Sequence, residues 1–261
     1  MIRLSVNVNK VATLRNSRGG RIPRVIDAVR VCVAARAPGI TVHPRSDRRH
    51  ITPEDVREIA AELAPLRDRV EFNIEGDPQP ELIELVREVR PHQCTLVPVK
   101  AGEITSQAGW PADTPADAMR RTIAGLKSAG VRVSLFVDPE QEAIEWAARM
   151  NADRVELYTE PYARAFEAGG RTLEQSFEKY SAAAVRASEL TLGVNAGHDL
   201  DLENLVLFRT LPHLQEVSIG HALISRALFE GLANVVKEYL DVLAQPLFSR
   251  EAQPSASPQT P

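Results

Sequence analysis

Residues 132–159, RVSLFVDPEQEAIEWAARMNADRVELYT, predict one strand, one helix and a second strand. The two ends are short runs rich in β-branched and aromatic side chains, which is typical of strands. Between them, Asp138 is a candidate helix cap and Pro139 suits the first helical position. A helix that carries the chain from one strand to the next forms a βαβ unit, so this stretch predicts a parallel sheet.

The same unit recurs on both sides of this stretch. The strand-like runs begin about 30 residues apart, as in a (β/α)8 barrel of about 250 residues. A doubly wound open sheet is the alternative, but it has about five to seven strands, and no GxGxxG or GxxxxGK[ST] loop follows any run. We therefore predict an α/β fold, a single (β/α)8 TIM barrel with extra helices in the long βα loops. The predicted strands cover residues 4–9, 39–43, 70–75, 93–98, 132–138, 154–159, 191–196 and 216–221.

The amino-acid composition argues against several classes of protein. The chain has 261 residues, of which 44% are apolar and 25% charged, and its formal net charge is −4. No apolar run approaches the roughly 18 residues of a membrane span, and the acidic balance argues against a nucleic-acid binder. The two cysteines, Cys32 and Cys94, exclude a disulfide scaffold or zinc finger and indicate a reducing, cytoplasmic compartment. No histidines and carboxylates share a metal-ligand spacing, so neither a metal nor a cofactor is expected.

The two ends of the chain differ from its middle. Residues 1–26 contain six basic and no acidic residues. They begin with a strand-like alternation, so a basic loop that meets an anionic ligand is favoured over an amphipathic transit peptide. Residues 246–261 are dominated by proline, serine and glutamine. We expect them to form a disordered tail, which leaves residues 1–245 for the catalytic barrel domain.

Three predicted connections are longer than packing requires, namely residues 10–23, 100–113 and 160–171. All three follow the C-terminal ends of strands, where barrel enzymes have their active sites. Long loops at this position are candidate lids. The third ends at Gly169 and Gly170 and is expected to contain a short extra helix.

The strand pattern predicts a polar barrel interior. Most of the predicted strands have one apolar face that should pack on the outer helices, so the alternate residues point inward. A buried carboxylate is costly unless it is hydrogen-bonded, bound to a ligand or shifted in pKa. For any one of these inward-facing residues, the alternative to a functional role is membership of a buried polar network that only fixes the barrel geometry. The residues expected to converge are Asn7, His43, Glu71, Glu156 and Asn195, with Glu75 as a further candidate.

A histidine at the end of the second predicted strand is the first candidate for catalysis. His43 begins the segment HPRSDRRH, which also contains Arg45 and His50. An imidazole beside guanidinium groups suits general acid–base chemistry on a phosphorylated substrate. For Arg48 and Arg49 a solvated charge run is favoured.

Glycine–histidine pairs end the last two predicted strands. These pairs are Gly197-His198 and Gly220-His221. Glycine lets backbone amides approach a ligand closely, and the helix after Gly220 would present its N-terminal amides to a phosphate. The loops after these strands form the usual phosphate site of such barrels.

Seven sequence blocks together resemble the pyridoxine 5′-phosphate synthase family of vitamin B6 biosynthesis. They occur in collinear order between about residues 3 and 243, and it is their combination that is specific. The blocks are VNVNKVATLRNSRGG, GITVHPRSDRRHIT, LVPVKAGEIT, VSLFVD, VELYTEPYA, VNAGHDL and SIGHALISRALF.

The resemblance implies a barrel enzyme that assembles as a homo-octamer, a tetramer of dimers. It implies a ring-closing condensation of 3-amino-2-oxopropyl phosphate with 1-deoxy-D-xylulose 5-phosphate, which gives pyridoxine 5′-phosphate, phosphate and water. The loop around residues 100–113 would close over the substrates, and closure would exclude water from a dehydration.

The resemblance also implies roles for individual residues. His43 and Glu71 would be general bases, His198 the general acid, and Glu156 would stabilise charged intermediates. The residues implied to hold the amino ketone phosphate are Asn7, Arg18, Asp199, Gly220 and His221. The residues implied to hold the deoxyxylulose phosphate are Asn9, Lys10, Arg45, His50 and Thr105.

Three positions depart from the family pattern. Asn9-Lys10 stands where many members have Asp-His, and Asp199 stands where glycine is expected. Lys10 can pair with a phosphate as a point charge. A carboxylate at position 199 would repel a phosphate unless it points away from it.

Two other functions fit part of this pattern. A phosphosugar isomerase or aldolase can use the same barrel, although no predicted strand carries a Schiff-base lysine on its polar face. A non-catalytic sugar-phosphate binding protein is the other alternative. It would need cations and amides rather than buried glutamates, so the acid–base set favours an enzyme.

Overall fold

The computed structural model describes residues 1–99 and 107–246. Eight parallel strands form a closed barrel in chain order, and the first strand pairs with the last. The predicted (β/α)8 architecture is therefore confirmed. The strands are β1 (Arg3–Asn7), β2 (Gly39–Val42), β3 (Glu71–Gly76), β4 (Gln93–Leu96), β5 (Arg132–Val137), β6 (Arg154–Tyr158), β7 (Gly193–Gly197) and β8 (Leu214–Ile219).

Helices surround this barrel, and they bury the outward-facing residues of the strands. The described residues also include one 3-10 turn, Ala64–Leu66. The α-helices are α1 (Asn9–Asn16), α2 (Val25–Ala34), α3 (Pro53–Leu63), α4 (Pro80–Val89), α5 (Ala116–Ser128), α6 (Gln141–Arg149), α7 (Glu160–Ala168), α8 (Gly170–Glu189), α9 (Leu205–Phe208), α10 (His221–Glu230) and α11 (Leu232–Ala244).

The helix cap expected at Asp138 is not formed. Thr52 does cap α3, because its hydroxyl accepts a hydrogen bond from Asp55 N and the Asp55 carboxylate accepts one from Thr52 N. In contrast, α5 begins after Pro115 and α6 after Glu140, and neither of these residues makes a side-chain cap. Asp138 instead accepts a hydrogen bond from Gly109 N, so its carboxylate anchors a loop.

The predicted division between apolar and polar strand faces is confirmed. Leu4, Val6 and Ile74 are fully buried in the core between strands and helices. Each such side chain contributes roughly 1.5–3 kcal/mol on burial. The inward-facing polar residues are buried as well, and they include Thr41, Asn73, Thr95, Ser134 and Asn195. The barrel is thus held from outside by apolar packing and filled inside by polar side chains.

The long connections differ from one another. Residues 10–23 were expected to form a loop, but residues 9–16 form α1, whose buried Val11 and Ala12 give it an apolar side to pack. The third connection contains the expected extra helix, α7, which ends before Gly169. In the second connection, residues 100–106 lie outside the described residues. Beyond them, Trp110 donates its indole N–H to Leu96 O at 2.9 Å, which fixes the returning end of the loop.

Both cysteines are buried and free. Across the described residues, no helix is both long enough and apolar enough to cross a membrane. The expected tail falls almost wholly on residues 247–261, outside the described residues, and stays a prediction.

Candidate active site

A cavity of about 400 Å³ opens at the C-terminal ends of the strands. This is the end where barrel enzymes place their chemistry. Its walls come from the C-terminal ends of all eight strands, or from the residues that directly follow them, and from the N-terminal parts of α1 and α10. The predicted site residues that line it are Asn7, Asn9, Lys10, His43, Arg45, His50, Glu156, His198, Asp199, Gly220 and His221.

Three predicted site residues are not found there. Arg18 is exposed in the turn after α1 and does not line the cavity. Thr105 lies outside the described residues. Glu71 is buried at the N-terminal end of β3, where it pairs with Arg3 at 3.0 Å and with Arg132. The structure therefore corrects the expectation that Glu71 acts beside His43.

Glu75 takes the place that was expected for Glu71. Both residues lie on β3 and both point inward, because they are four residues apart and strand side chains alternate. Four residues of strand span about 13 Å, which separates the two ends of the barrel. The alternation of side chains in the sequence shows that Glu71 and Glu75 share the inward face of β3. Which of them lies at the cavity end of the barrel depends on the register of the strand. Glu75 is 8% exposed and lines the cavity.

Three side chains surround the Glu75 carboxylate. Asn7 donates its amide to Oε2 at 3.4 Å, and Ser218 donates its hydroxyl to Oε1 at 3.4 Å. His43 Nδ1 lies 3.9 Å from Oε2. Burial raises the pKa of Glu75 to about 8. A carboxyl group with a pKa near neutrality can both accept and donate a proton.

A second carboxyl group, Glu156, stands deeper in the barrel. Burial raises its pKa well above the usual range, and the nearby Glu75 and Glu216 add to the shift. Thr95 donates its hydroxyl to Glu156 Oε2 at 3.4 Å. A Cβ on Gly197 would overlap with Glu156 Oε1, so the glycine provides the space that this carboxyl group occupies. The interior of the barrel thus favours the neutral form of the Glu156 carboxyl group over the charged one.

His43 is held in its neutral form. Burial, with His50 and Arg45 close by, lowers its pKa to about 3. Its backbone N–H donates to Asn9 Oδ1 at 2.9 Å, and Asn9 N in turn donates to Asn7 Oδ1 at 3.0 Å. The two asparagines fix the position of His43 relative to β1. A neutral imidazole is the form that can accept a proton.

Cationic groups lie at the side of the cavity next to β2. Lys10, Arg45 and His50 line this wall, and burial and the nearby Arg45 lower the pKa of His50 to about 4. Arg49 also lines it, which differs from the solvated charge run expected at this position. The segment after β2 that carries Arg45 and His50 is held by Arg15, which donates to His50 O at 3.1 Å and pairs with Asp55. Fixed guanidinium groups suit a phosphate, since they present several donors in a rigid plane.

Backbone amides lie at the side of the cavity next to β8. Gly220 is the residue before α10, and His221 is its first residue, so free N–H groups of the helix face this wall. A Cβ on Gly220 would lie 3.1 Å from Asn7 Cβ, which leaves little room for a side chain. This wall can bind an anion without a cationic side chain.

Apolar residues complete the cavity, and the sequence patterns did not single them out. Val97 and Phe136 line it, and with Tyr158 they form a small buried cluster apart from the main core. The Tyr158 ring meets the His198 ring edge-on, with centroids 5.2 Å apart. Among the described residues, no group of three or more histidine, cysteine and carboxylate side chains is placed to hold a metal ion.

The fold and this cavity define a (β/α)8-barrel enzyme with carboxyl and imidazole groups between a cationic wall and a wall that begins helix α10. Residues 4–245 match the family described as pyridoxal phosphate biosynthesis protein PdxJ. The chain belongs to this family.

Curated relatives agree with this assignment. The chain is 50% identical to pyridoxine 5′-phosphate synthase of Bacteroides fragilis over 244 residues, which cover 93% of this chain and all of the relative. It is 48% identical to the enzyme of that name from Christiangramia forsetii, with the same coverage. It is 45% identical to the one from Leptospira biflexa, covering 94% of this chain and 98% of the relative.

Solved structures of other barrels share the fold alone. A tryptophan synthase structure from M. tuberculosis superposes with a TM-score of 0.63 at 12% identity, and it covers 94% of this chain and 93% of the other. Phosphoribosyl anthranilate isomerase from Thermotoga maritima gives a TM-score of 0.58 at 16% identity, covering 93% and 98%.

Proposed function

We propose that this enzyme condenses 3-amino-2-oxopropyl phosphate with 1-deoxy-D-xylulose 5-phosphate to form pyridoxine 5′-phosphate, phosphate and water. One observation carries the proposal: four acid–base groups, His43, Glu75, Glu156 and His198, face one cavity between two anion-binding walls. The name of the curated relatives, pyridoxine 5′-phosphate synthase, agrees with the product. Two phosphorylated substrates need two such walls, and a ring closure with loss of water needs several proton transfers in one place.

The two walls suggest how the substrates are divided. The amides at the start of α10, with Asn7, suit the phosphate of the smaller amino ketone. The wall with Lys10, Arg45 and His50 suits the deoxyxylulose phosphate. In this arrangement the reacting carbonyl and amino groups meet between the walls, beside Glu75 and His43. Holding two reactants in this way lowers the barrier by making the reaction effectively unimolecular.

The electrostatics support acid–base roles that depend on bound substrate. In the free enzyme, nearby Arg45 and His50 help to keep His43 neutral. A phosphate dianion against Arg45 offsets these positive charges and raises the pKa of His43, so binding prepares it as a base. Glu75 exchanges protons near neutral pH, and Glu156 offers a carboxyl group to charge that develops deeper in the cavity. In this proposal His198, which lines the cavity, is the acid that protonates a leaving oxygen.

The proposal is tested by mixing the purified enzyme with both substrates, without added metal or nucleotide. Pyridoxine 5′-phosphate is followed by absorbance and identified by mass, with His43→Ala as the control. We expect product from the natural chain and at least about 100-fold less from the variant. Binding of both substrates in a calorimeter without any product would refute the proposed reaction.

We also propose that the enzyme is a cytoplasmic homo-octamer, arranged as a tetramer of dimers. Large apolar side chains are exposed on the surface of the single chain, including Leu228 and Phe229 at the end of α10. Such residues are rarely left to solvent in a patch. Light scattering coupled to gel filtration should give eight times the 28.7 kDa chain mass, and a monomer would contradict the assembly.

A further inference from the structure

His198 and Asp199 form a pair within the loop that follows β7. Asp199 Oδ2 lies 2.9 Å from His198 Nδ1, which is hydrogen-bond distance. Both residues have positive φ angles, 87° for His198 and 59° for Asp199, which side chains other than glycine rarely adopt. This backbone conformation turns the two neighbouring side chains towards each other.

The strained loop is held from several directions. Thr159 donates its hydroxyl to Gly197 O at 2.8 Å and also to His198 O. Asn204 donates its side-chain amide to Asp199 O at 3.1 Å. Unfavourable backbone angles persist only where the surroundings impose them, and they occur often at functional sites. The position of the Asp199 carboxylate is thus imposed by the scaffold.

We propose that Asp199 is a positioning residue, which orients the His198 imidazole and keeps its exchangeable proton site on Nε2. This inference rests on the proposed function, in which His198 is the acid. A carboxylate that accepts the Nδ1–H bond selects one tautomer and one ring orientation. Nε2 is then the atom that exchanges protons with a ligand in the cavity, which His198 lines.

The charges around Asp199 agree with this role. The hydrogen bond from His198 lowers the pKa of Asp199, and the nearby Lys10 adds to the effect. Asp199 therefore stays ionised at neutral pH and remains an acceptor. Its carboxylate is engaged with the imidazole, so a phosphate can approach the nearby Gly220 wall without meeting an unpaired negative charge. This differs from the expectation that Asp199 holds the phosphate itself.

Direct contact of Asp199 with the amino group of a substrate is the competing explanation. The test compares three variants. Asp199→Asn keeps the shape, Asp199→Gly removes the carboxylate and suits a φ of 59°, and Asp201→Asn is a matched control two residues away. Asp201 accepts hydrogen bonds from Glu203 N and Asn204 N, which an asparagine can also accept.

The first measurement is the tautomer of His198, read from its ring 15N shifts by magic-angle-spinning NMR. Sedimented protein labelled with 15N-histidine is used, and His198→Gln assigns the signal among the six histidines. We expect the Nδ1–H form in the natural chain and in Asp201→Asn. We expect a mixed or reversed tautomer in both Asp199 variants. An unchanged tautomer in Asp199→Gly would overturn the proposal.

The second measurement is steady-state kinetics with both substrates. Loss of orientation should lower kcat by about 10- to 100-fold in both Asp199 variants, with each KM changed less than about twofold. A raised KM for the amino ketone phosphate with unchanged kcat would overturn the proposal in favour of direct binding. If the natural chain forms no product, the proposed function fails, while the tautomer measurement still decides the role of Asp199.

Discussion

Glu75 Oε2 and His43 Nδ1 lie 3.9 Å apart at the C-terminal ends of two neighbouring strands, β3 and β2. One group is a carboxyl with a raised pKa and the other an imidazole with a lowered pKa. Both groups are therefore uncharged over much of the neutral range. A site of this kind can accept a ligand of high charge before any proton moves.

The raised pKa of Glu75 predicts a dependence of stability on pH. The folded-state pKa is about 8, above the usual 4.5, so between these values the folded chain holds a proton that the unfolded chain has lost. The free energy of unfolding should thus fall as pH rises from about 5 to 8.

Glu75→Gln should remove much of this decline. Urea unfolding at pH 5 and pH 8 should show the variant gaining stability relative to the natural chain at the higher pH, by on the order of 1 kcal/mol or more. If the variant and the natural chain differ in free energy of unfolding by the same amount at pH 5 and at pH 8, the Glu75 carboxyl group is not protonated in the folded enzyme.

Lys10 is predicted to act as a point charge for the deoxyxylulose phosphate. It lies at the start of α1, is exposed and lines the cavity wall. Lys10→Ala should raise the KM for this substrate by about tenfold or more and lower kcat less, whereas Lys10→Arg should retain most of the binding. An unchanged KM in the alanine variant would reject this role.

The ion pair between Arg15 and Asp55 is predicted to be important for stability. Its side chains are 13% and 9% exposed, and Arg15 also binds His50 O. Arg15→Met leaves the Asp55 charge nearly buried and should cost about 3–5 kcal/mol.

Arg24→Met is the matched control for this variant. Arg24 pairs with Glu58, and both side chains are about half exposed. Its removal should change the free energy of unfolding by at most about 1 kcal/mol. Equal losses in the two variants would show that burial of the Arg15 pair has no special effect.

Gly197 is predicted to be required for the position of Glu156. Because a Cβ would overlap with the Glu156 carboxyl group, Gly197→Ala should displace it and lower kcat by about 100-fold. Gly20→Ala is the control, since a Cβ there meets nothing within 4 Å and φ is not positive. Similar kcat values in both variants would show that the position of the Glu156 carboxyl group does not affect the reaction.

The fold could be predicted almost completely from local pattern. The periodicity of apolar residues and the regular spacing of the strand-like runs predicted all eight strands. The predicted ends are displaced by at most two residues, because strand ends depend on pairing with neighbouring strands. Helix α1 was missed, since its residues show little amphipathic pattern and it packs through Val11 and Ala12. The expected cap at Asp138 failed because its carboxylate bonds to Gly109, a contact that the local sequence does not show.

The candidate site was predicted less completely. Residues at strand ends, such as His43 and His198, were found because motifs mark those ends. The choice between Glu71 and Glu75 needed the register of β3 along the barrel axis, which side-chain alternation does not contain. Arg3 and Arg132 surround Glu71 at the opposite end, and these partners are distant in sequence. Pairing across the barrel is what distinguishes a structural carboxylate from one in the cavity.

We propose that Glu75, at the cavity, and not Glu71 carries the chemistry of β3. The most direct measurement is the rate of pyridoxine 5′-phosphate formation by Glu75→Gln and Glu71→Gln, two equal changes on one face of one strand. We predict that Glu75→Gln lowers kcat by at least about 100-fold while the chain stays folded. Glu71→Gln should lower stability but keep kcat within about threefold, because the Glu71 carboxylate pairs with Arg3 and Arg132 at the other end of the barrel. Loss of kcat in folded Glu71→Gln, with near-normal turnover by Glu75→Gln, would contradict the account.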